Sequence, residues 1–337
     1  MPPLFTIGMP VYNAMPYLAE ALESVLRQTY PHFELLIIND GSRDESLEYL
    51  RSLQDPRIRI VSQENRGLTA TLNRLLEEAR APWLVRLDAD DVASPERLAL
   101  VAGALERHPA AGMFYSRARH CGHVGALAAA RSTEGTPKEL RRLTRAGYLL
   151  SIVHSSVVLN VAETRALGGY RFDLHIEDLD LWWRMALQRD VVFLPQVTVQ
   201  YRLNHDSVCI SNLRKLSANT LFAQYLLLSY LWGLEPQPYE AVIGALSGRV
   251  DASRLAYRQE MWRAGADLSA RRYRRAAPHL VKAAVHSPVQ FLRRVSYPVG
   301  QGVMVRRGED PQRFRRLRHQ LWDAAELLDS GAAFEPA

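Results

Sequence analysis

The sequence predicts an α/β fold, a doubly wound and mainly parallel sheet followed by a helical C-terminal extension. Three observations carry that reading. Over the first hundred residues, short apolar runs alternate with segments of helical periodicity. The strand-like runs hold few polar residues, as strands covered on both faces do. From about residue 212 the pattern becomes mostly helical. Such alternation calls for parallel strands joined by crossover helices.

Leu4–Met9, Glu34–Ile38, Arg57–Val61 and Trp83–Leu87 read as strands, rich in Ile, Leu and Val and bounded by turn residues. Between them Leu18, Leu22, Val25 and Leu26 recur at helical spacing, as do Leu47, Leu50 and Leu53, then Leu68, Leu72, Leu75 and Leu76. Leu98, Val101, Ala102 and Leu105 form a fourth stripe, with Ser94 and Pro95 read as its N-cap and first helical residue. The middle, 110–210, is less regular. Met113–Tyr115, Ser155–Leu159 and Val197–Tyr201 read as strands, and Glu177–Leu187 as a helix with Leu179, Trp182, Trp183 and Ala186 on one face. Further on, a short helical unit is read from Pro278 to Pro288. The chain divides into an α/β domain, 1–211, and a basic helical region, 212–337.

With 337 residues, 47% hydrophobic and 23% charged, the composition is that of a globular protein and excludes disorder and coiled coil. No basic region precedes a long apolar run at the N-terminus, so no signal peptide is read. The greasiest stretch, Leu221 to Trp232, is interrupted by Gln224 and Ser229 and is too short to span a membrane. Two cysteines make neither a disulfide framework nor a zinc site, and a cytoplasmic setting is expected. Charge is unevenly spread. Residues 1–120 hold 13 Arg against 16 Asp or Glu, whereas 249–320 hold 17 Arg or Lys against 5 acids. The basic region suits an anionic surface as partner, the inner membrane face included; a solvated Arg-rich helical surface accounts for it equally well.

In open α/β sheets, ligands gather at the carboxyl ends of the strands. Those ends carry Pro10-Val11-Tyr12-Asn13, Asn39-Asp40-Gly41-Ser42, Asn65-Arg66-Gly67 and Asp88-Ala89-Asp90-Asp91. Side chains two apart on an extended segment point the same way, so Asp88 and Asp90 can converge on one cation. Hard oxygen ligands suit Mg²⁺ or Mn²⁺; an acidic cap for the helix near Pro95 is the plainer account. Asp40 can accept hydrogen bonds from a base or ribose, or simply form a turn. Glu177, Asp178 and Asp180 can be functional acids or ordinary charges in a first helical turn. There is no Gly-x-Gly-x-x-Gly after a strand and no P-loop signature, which argues against dinucleotide cofactors and P-loop chemistry.

Taken in order, these motifs with Gly168-Gly169-Tyr170 and Glu177-Asp178 resemble glycosyltransferase family 2 over about residues 4–210. The resemblance implies a GT-A fold, a nucleotide-sugar donor, a divalent metal and inversion at the anomeric carbon. By it, Pro10, Tyr12 and Asn13 lie at the nucleotide, Asp40 binds the base, and Asn65 and Arg66 flank it. Asp88 resembles the ribose- or diphosphate-side Asp, Asp90 the principal metal ligand, and Asp178 the catalytic base. Glu177, Trp182 and His154 are placed on the acceptor side; core packing is the plainer account of at least one of Trp182 and Trp183, and a structural role the plainer account of His154. Relatives often place His two residues after the Arg of a Tyr-Arg motif; here Asn204 holds that position and His205 follows. Arg202 is read as a diphosphate contact and His205 as a candidate metal ligand.

The implied function is an inverting glycosyltransferase acting on a glycan or lipid-linked glycan in surface polysaccharide synthesis, with a uridine diphosphate sugar as donor. It is peripheral on the inner membrane face and does not bind nucleic acid. The other readings are a non-catalytic sugar-nucleotide-binding or scaffolding subunit, a polyanion-binding module, and last a nucleotidyltransferase, whose Gly-rich N-terminal loop is missing.

Overall fold

The computed structural model describes residues 2–121, 129–130, 132–203, 213–296, 305–306 and 311. The elements follow in order: β1 (Phe5–Val11), α1 (Leu18–Leu26), β2 (Phe33–Asp40), α2 (Ser46–Arg51), β3 (Ile58–Gln63), α3 (Leu68–Glu78), β4 (Trp83–Arg86), β5 (Val92–Ala93), α4 (Arg97–Arg107) and β6 (Ala111–His120). Then come β7 (Ala129–Ala130), α5 (Pro137–Arg145), β8 (Leu149–Leu150), a 3-10 turn (His154–Ser156), β9 (Val157–Asn160), α6 (Val161–Ala166), α7 (Glu177–Gln188) and β10 (Asp190–Tyr201). The C-terminal helices are α8 (Leu213–Trp232), α9 (Tyr239–Ser247), α10 (Ala252–Ser269), α11 (Tyr273–His286) and α12 (Pro288–Ser296), and β11 (Val305–Arg306) pairs with β8.

The main sheet runs β3-β2-β1-β4-β9-β6-β10-β5, with β7 against β6. β1 through β4 are mutually parallel, and β6 is parallel to β10. β9 enters antiparallel between β4 and β6, and β5 is antiparallel to β10. The expected mainly parallel sheet is therefore present.

Alternation along each strand builds two separate cores. Leu35, Ile37, Trp83 and Val85 face α1, α2 and α4 through Leu18, Leu22, Leu50, Leu98 and Val101. Leu36, Ile38 and Leu84 face the other way, onto α3, α7 and α8. The apolar stretch 221–232 belongs to this second layer: Phe222, Tyr225 and Leu228 of α8 are buried in it with Trp182 and Trp183. No helix among the described residues is long and apolar enough to cross a membrane.

Two local expectations are corrected. Ser94 does not cap α4; its Oγ donates to Glu96 Oε2 at 2.7 Å, and the helix starts two residues beyond Pro95. Pro278 does not begin its helix either, for α11 starts at Tyr273. The preceding chain turns through Arg271 at φ +57, and the Arg272 N–H closes on Asp267 O at 2.7 Å. That stop sets α11 running before Pro278, whose missing N–H leaves out one helical bond.

Candidate active site

Because β1, β2, β3 and β4 are parallel neighbours, the loops leaving their carboxyl ends lie along one edge of the sheet. The first two loops are laced together. The Asn13 N–H donates to Ser42 Oγ at 3.1 Å, Asn13 Oδ1 accepts from the Arg43 N–H at 2.8 Å, and the Ala14 N–H donates to Ser46 Oγ at 3.0 Å. Asn13 reaches this position at φ +49, a conformation its short polar side chain tolerates. Tyr12 beside it is exposed, and Pro10 is half-buried at the end of β1.

Asp40 is buried and fixes the third loop. Its Oδ1 accepts from Gln63 Nε2 at 2.6 Å and from the Arg66 N–H at 2.9 Å; its Oδ2 accepts from the Gly67 N–H at 3.0 Å. Gly41, at φ +73, lets the two loops touch: a Cβ there would stand 2.8 Å from the Asn65 nitrogen. Asn65 and Arg66 themselves are exposed. Gly67, at φ +84, lies close to the Asp173 carboxylate, which brings in the segment leading to α7.

The fourth loop holds the acids. One ligand oxygen from each of Asp88, Asp90 and Asp91 lies within 4.8 Å of the others. Asp88 forms an ion pair with Arg86, a guanidinium buried in β4. Ser155, from the 3-10 turn before β9, accepts from Arg86 Nη1 at 2.8 Å and from the Asp88 N–H at 3.1 Å, and donates to Asp88 Oδ2 at 3.0 Å. Asp91 is wholly buried; its Oδ1 accepts from the Arg202 N–H at 2.9 Å, and its Oδ2 has no hydrogen-bond partner among the described residues. Burial, then the charge of Asp88, pushes Asp90 up to about 6. Burial and the charges of Asp88 and Asp90 push Asp91 well above the carboxylate range. On the other side stands the buried Arg97, brought down to about 9 by burial and by the neighbouring Arg86. Its Nη2 donates to Arg86 O at 3.0 Å and Val157 O at 3.2 Å.

Three converging carboxylates that resist holding their charges together, one with an orphaned buried oxygen, form a hard donor set matched to Mg²⁺ or Mn²⁺. The residues present fit such an ion.

Arg202 leaves the end of β10 beside this cluster. Its Nε donates to Asp90 O at 3.0 Å, its Nη2 to Glu20 Oε2 at 2.5 Å, and its guanidinium lies 4.5 Å from the Tyr17 ring centroid. Asn204 and His205 lie outside the described residues.

Glu177 and Asp178 open α7, both buried, and Asp178 Oδ1 accepts from the Leu179 N–H at 2.7 Å. Tyr170 joins them electrostatically to the acidic cluster. Burial raises its phenol most, Arg86 opposes, and the charges of Glu177, Asp178 and Asp88 add to the rise. His154 Nε2 is 3.0 Å from the Tyr170 hydroxyl, and its ring meets the Trp182 ring edge-on at 5.5 Å. Trp182 is 0% exposed and Trp183 is also buried, so neither offers a face for a sugar to stack on. In that respect the expectation for Trp182 is corrected: the indole fills the core behind His154.

Arg86, Arg97, Ser155 and Tyr170 were not singled out by residue patterns. Arg86 carried a signal, as a charge inside an otherwise apolar run, and Tyr170 stood in a motif without a role of its own. Ser155 and Arg97 carried none.

An α/β sheet of this order, with carboxylates at the ends of parallel strands, defines a GT-A fold domain. Residues 6–160 match the model of glycosyl transferase family 2, so this segment is a domain of that family. EpsE of Bacillus subtilis, named as a glycosyltransferase, is 30% identical over 195 residues, 54% of this chain and 66% of its own. Chondroitin synthase of Pasteurella multocida is 32% identical over 129 residues, 38% of this chain and 13% of its own. The chain spans 24% to 66% of the length of the curated relatives that it matches over the longest stretches. Among solved structures, S. aureus TarS 1-349 in complex with UDP-GlcNAc superposes with a TM-score of 0.55 at 14% identity, covering 86% of this chain and 92% of that one. The mannosyltransferase PcManGT from Pyrobaculum calidifontis, in complex with GDP-Man and Mn²⁺, gives 0.51 at 18% identity, covering 87% and 81%.

Proposed function

We propose that the protein is an inverting glycosyltransferase that moves a sugar from a nucleotide-diphosphate donor to a hydroxyl of a glycan or lipid-linked glycan. A uridine diphosphate sugar is the donor favoured here, and surface polysaccharide synthesis the setting. The single observation that carries this reading is the acidic cluster Asp88, Asp90 and Asp91, with its orphaned Asp91 oxygen, beside loops suited to a nucleotide. The complexes of TarS with UDP-GlcNAc and PcManGT with GDP-Man and Mn²⁺ support the donor class and the metal. The likeness to chondroitin synthase supports the polymer setting. The basic region 249–320 is read as the part that meets an anionic surface.

In this reading Tyr12, Asn13, Asn65 and Arg66 receive the nucleotide, and Asp40 holds their loops in register while offering its free lone pairs to the base. Asp88, Asp90 and Asp91 hold Mn²⁺ or Mg²⁺. When bound, that ion supplies positive charge against the negative charge that develops on the departing diphosphate. Arg202 lies on the diphosphate side. Asp178 takes the proton of the acceptor hydroxyl. As that oxygen bonds to the anomeric carbon from the opposite face, the bond from carbon to diphosphate oxygen breaks and its electron pair leaves with the nucleoside diphosphate. Burial of Asp178, Tyr170 and Trp182 keeps bulk water from the base.

Asp178→Asn tests the assignment. The variant is expected to retain metal-dependent nucleotide binding and to lose transfer, scored as nucleoside diphosphate release in the presence of acceptor. Full release by the variant rejects Asp178 as the base. No release by the wild type with any nucleotide sugar favours a non-catalytic subunit.

A further inference from the structure

The C-terminal helices carry a feature that sugar transfer does not use. α11 packs inward through small residues, with Ala276 and Ala283 buried two helical turns apart. On the opposite side of the same helix Val281 is 63% and Val285 74% exposed, and beyond Ser287 the exposed run continues with Val289 at 61% and Leu292 at 62%. Single exposed apolar residues are ordinary, but a run of this kind along one short stretch marks an interaction surface.

Charge selects the partner. From 268 to 308 the sequence carries nine Arg or Lys and no Asp or Glu. Arg271, Arg272, Arg274, Arg275 and Lys282 are all exposed beside the valines. The nearby acids of α10 are turned inward: Glu260 Oε2 meets His279 Nδ1 at 2.6 Å, and Asp267, also buried, lies 4.0 Å from His279 Nε2. The outer face is thus apolar and positive at once. A nucleic acid would satisfy the arginines but not the valines, and an apolar protein groove would satisfy the valines but not the arginines. An anionic lipid surface satisfies both, with the valines in the headgroup boundary and the cations among the phosphates.

We infer that α11 and the start of α12 form a monotopic docking face for anionic bilayers, with Val281, Val285 and Val289 as its insertion points. The face holds the protein on the lipid without crossing it, and its existence does not depend on the transferase reading.

The test is co-sedimentation of the full-length protein, without donor or metal, with phosphatidylcholine vesicles with and without phosphatidylglycerol. Binding is expected only with phosphatidylglycerol, weakening as salt rises. The triple variant Val281→Ser, Val285→Ser, Val289→Ser is expected to lose at least roughly tenfold in partition. The triple variant Arg274→Gln, Arg275→Gln, Lys282→Gln is expected to lose roughly a hundredfold, about fivefold for each cation. All six side chains are exposed, so both variants are expected to melt with the wild type. Equal binding to neutral vesicles, wild-type retention by both variants, or no wild-type binding at low salt overturns the inference. So does an oligonucleotide that binds while the vesicles do not, or a dimer that the valine variant dissolves. Nucleoside diphosphate release in free solution is expected to be unchanged in both variants, so failure here and failure of the transferase reading are separable.

Discussion

Ser155 grips Asp88 from both sides: its Oγ donates to Asp88 Oδ2 at 3.0 Å and accepts the Asp88 N–H at 3.1 Å. The same oxygen accepts from the buried Arg86. Ser155→Ala leaves a buried guanidinium and a backbone N–H short of an acceptor, which costs about 1–3 kcal/mol of stability. As the group that orients a metal-site carboxylate, its loss is expected to weaken Mn²⁺ affinity roughly 10- to 100-fold. Calorimetric titration with Mn²⁺ checks the second figure, and unchanged affinity refutes it.

The acidic cluster makes stability depend on pH. Asp90 rises from an ordinary 3.8 to about 6 in the folded state, so between those values the folded chain holds more protons than the unfolded one. Without metal, the Asp90 contribution therefore falls as pH rises through that window. Divalent binding needs the ionised form, and the rise in Tm on adding Mn²⁺ is expected to be larger near pH 7 than near pH 5. Asp90→Asn is expected to remove the metal-induced rise while leaving metal-free stability equal or higher. Thermal unfolding at the two pH values, with and without Mn²⁺, decides it.

Gly41 and Gly168 share a positive φ but not a setting. Gly41 sits at φ +73 with a Cβ position 2.8 Å from a backbone nitrogen, whereas Gly168, at φ +83, faces open space. Gly168→Ala is expected to cost about 1–2 kcal/mol, the strain alone. Gly41→Ala is expected to cost a further 1–3 kcal/mol, roughly, because the neighbour is main chain that cannot swing away. It is also expected to weaken nucleoside diphosphate binding, since Asn65 must move. Equal losses for the two variants contradict the argument.

Two aspartates of α7 separate chemistry from architecture. Asp180 is fully buried and accepts from Arg171 Nη2 at 2.6 Å and Arg184 Nη2 at 2.7 Å; Arg184 also holds Leu167 O and Gly169 O. Asp180→Asn is expected to destabilise by roughly 3–5 kcal/mol, since a buried guanidinium loses its countercharge. Asp178→Asn is expected to leave the denaturant midpoint near that of the wild type. Urea unfolding of the pair distinguishes them.

The four parallel strands and their helices could be read from the chain because β1, β2 and β4 bury both faces, β3 at the sheet edge stays apolar on one, and each helix shows one apolar stripe. The loops Asp40 and Asp88–Asp91 followed, since they sit where such strands end. What periodicity missed is made by distant pairs. Ser155 meets Asp88 across 67 residues and the Arg202 N–H meets Asp91 across 111; no local pattern marks Ser155, and none ties Arg202 to Asp91. Trp182 was open to a surface role because its helix stripe does not tell a core-facing from a site-facing side; α8, closing over it, does.

β9 runs against both of its neighbours, with Trp83 opposite Asn160 and Val85 opposite Val158. Its starting end therefore arrives where β4 finishes, which sets Ser155, on the turn just before it, against Asp88. Of the segment that leads into that turn, Leu140, Leu149, Leu150 and Ile152 are buried in the core, so its second half is anchored with the sheet. The polarity of one strand thus ties upkeep of the acidic centre to upkeep of the packing behind it.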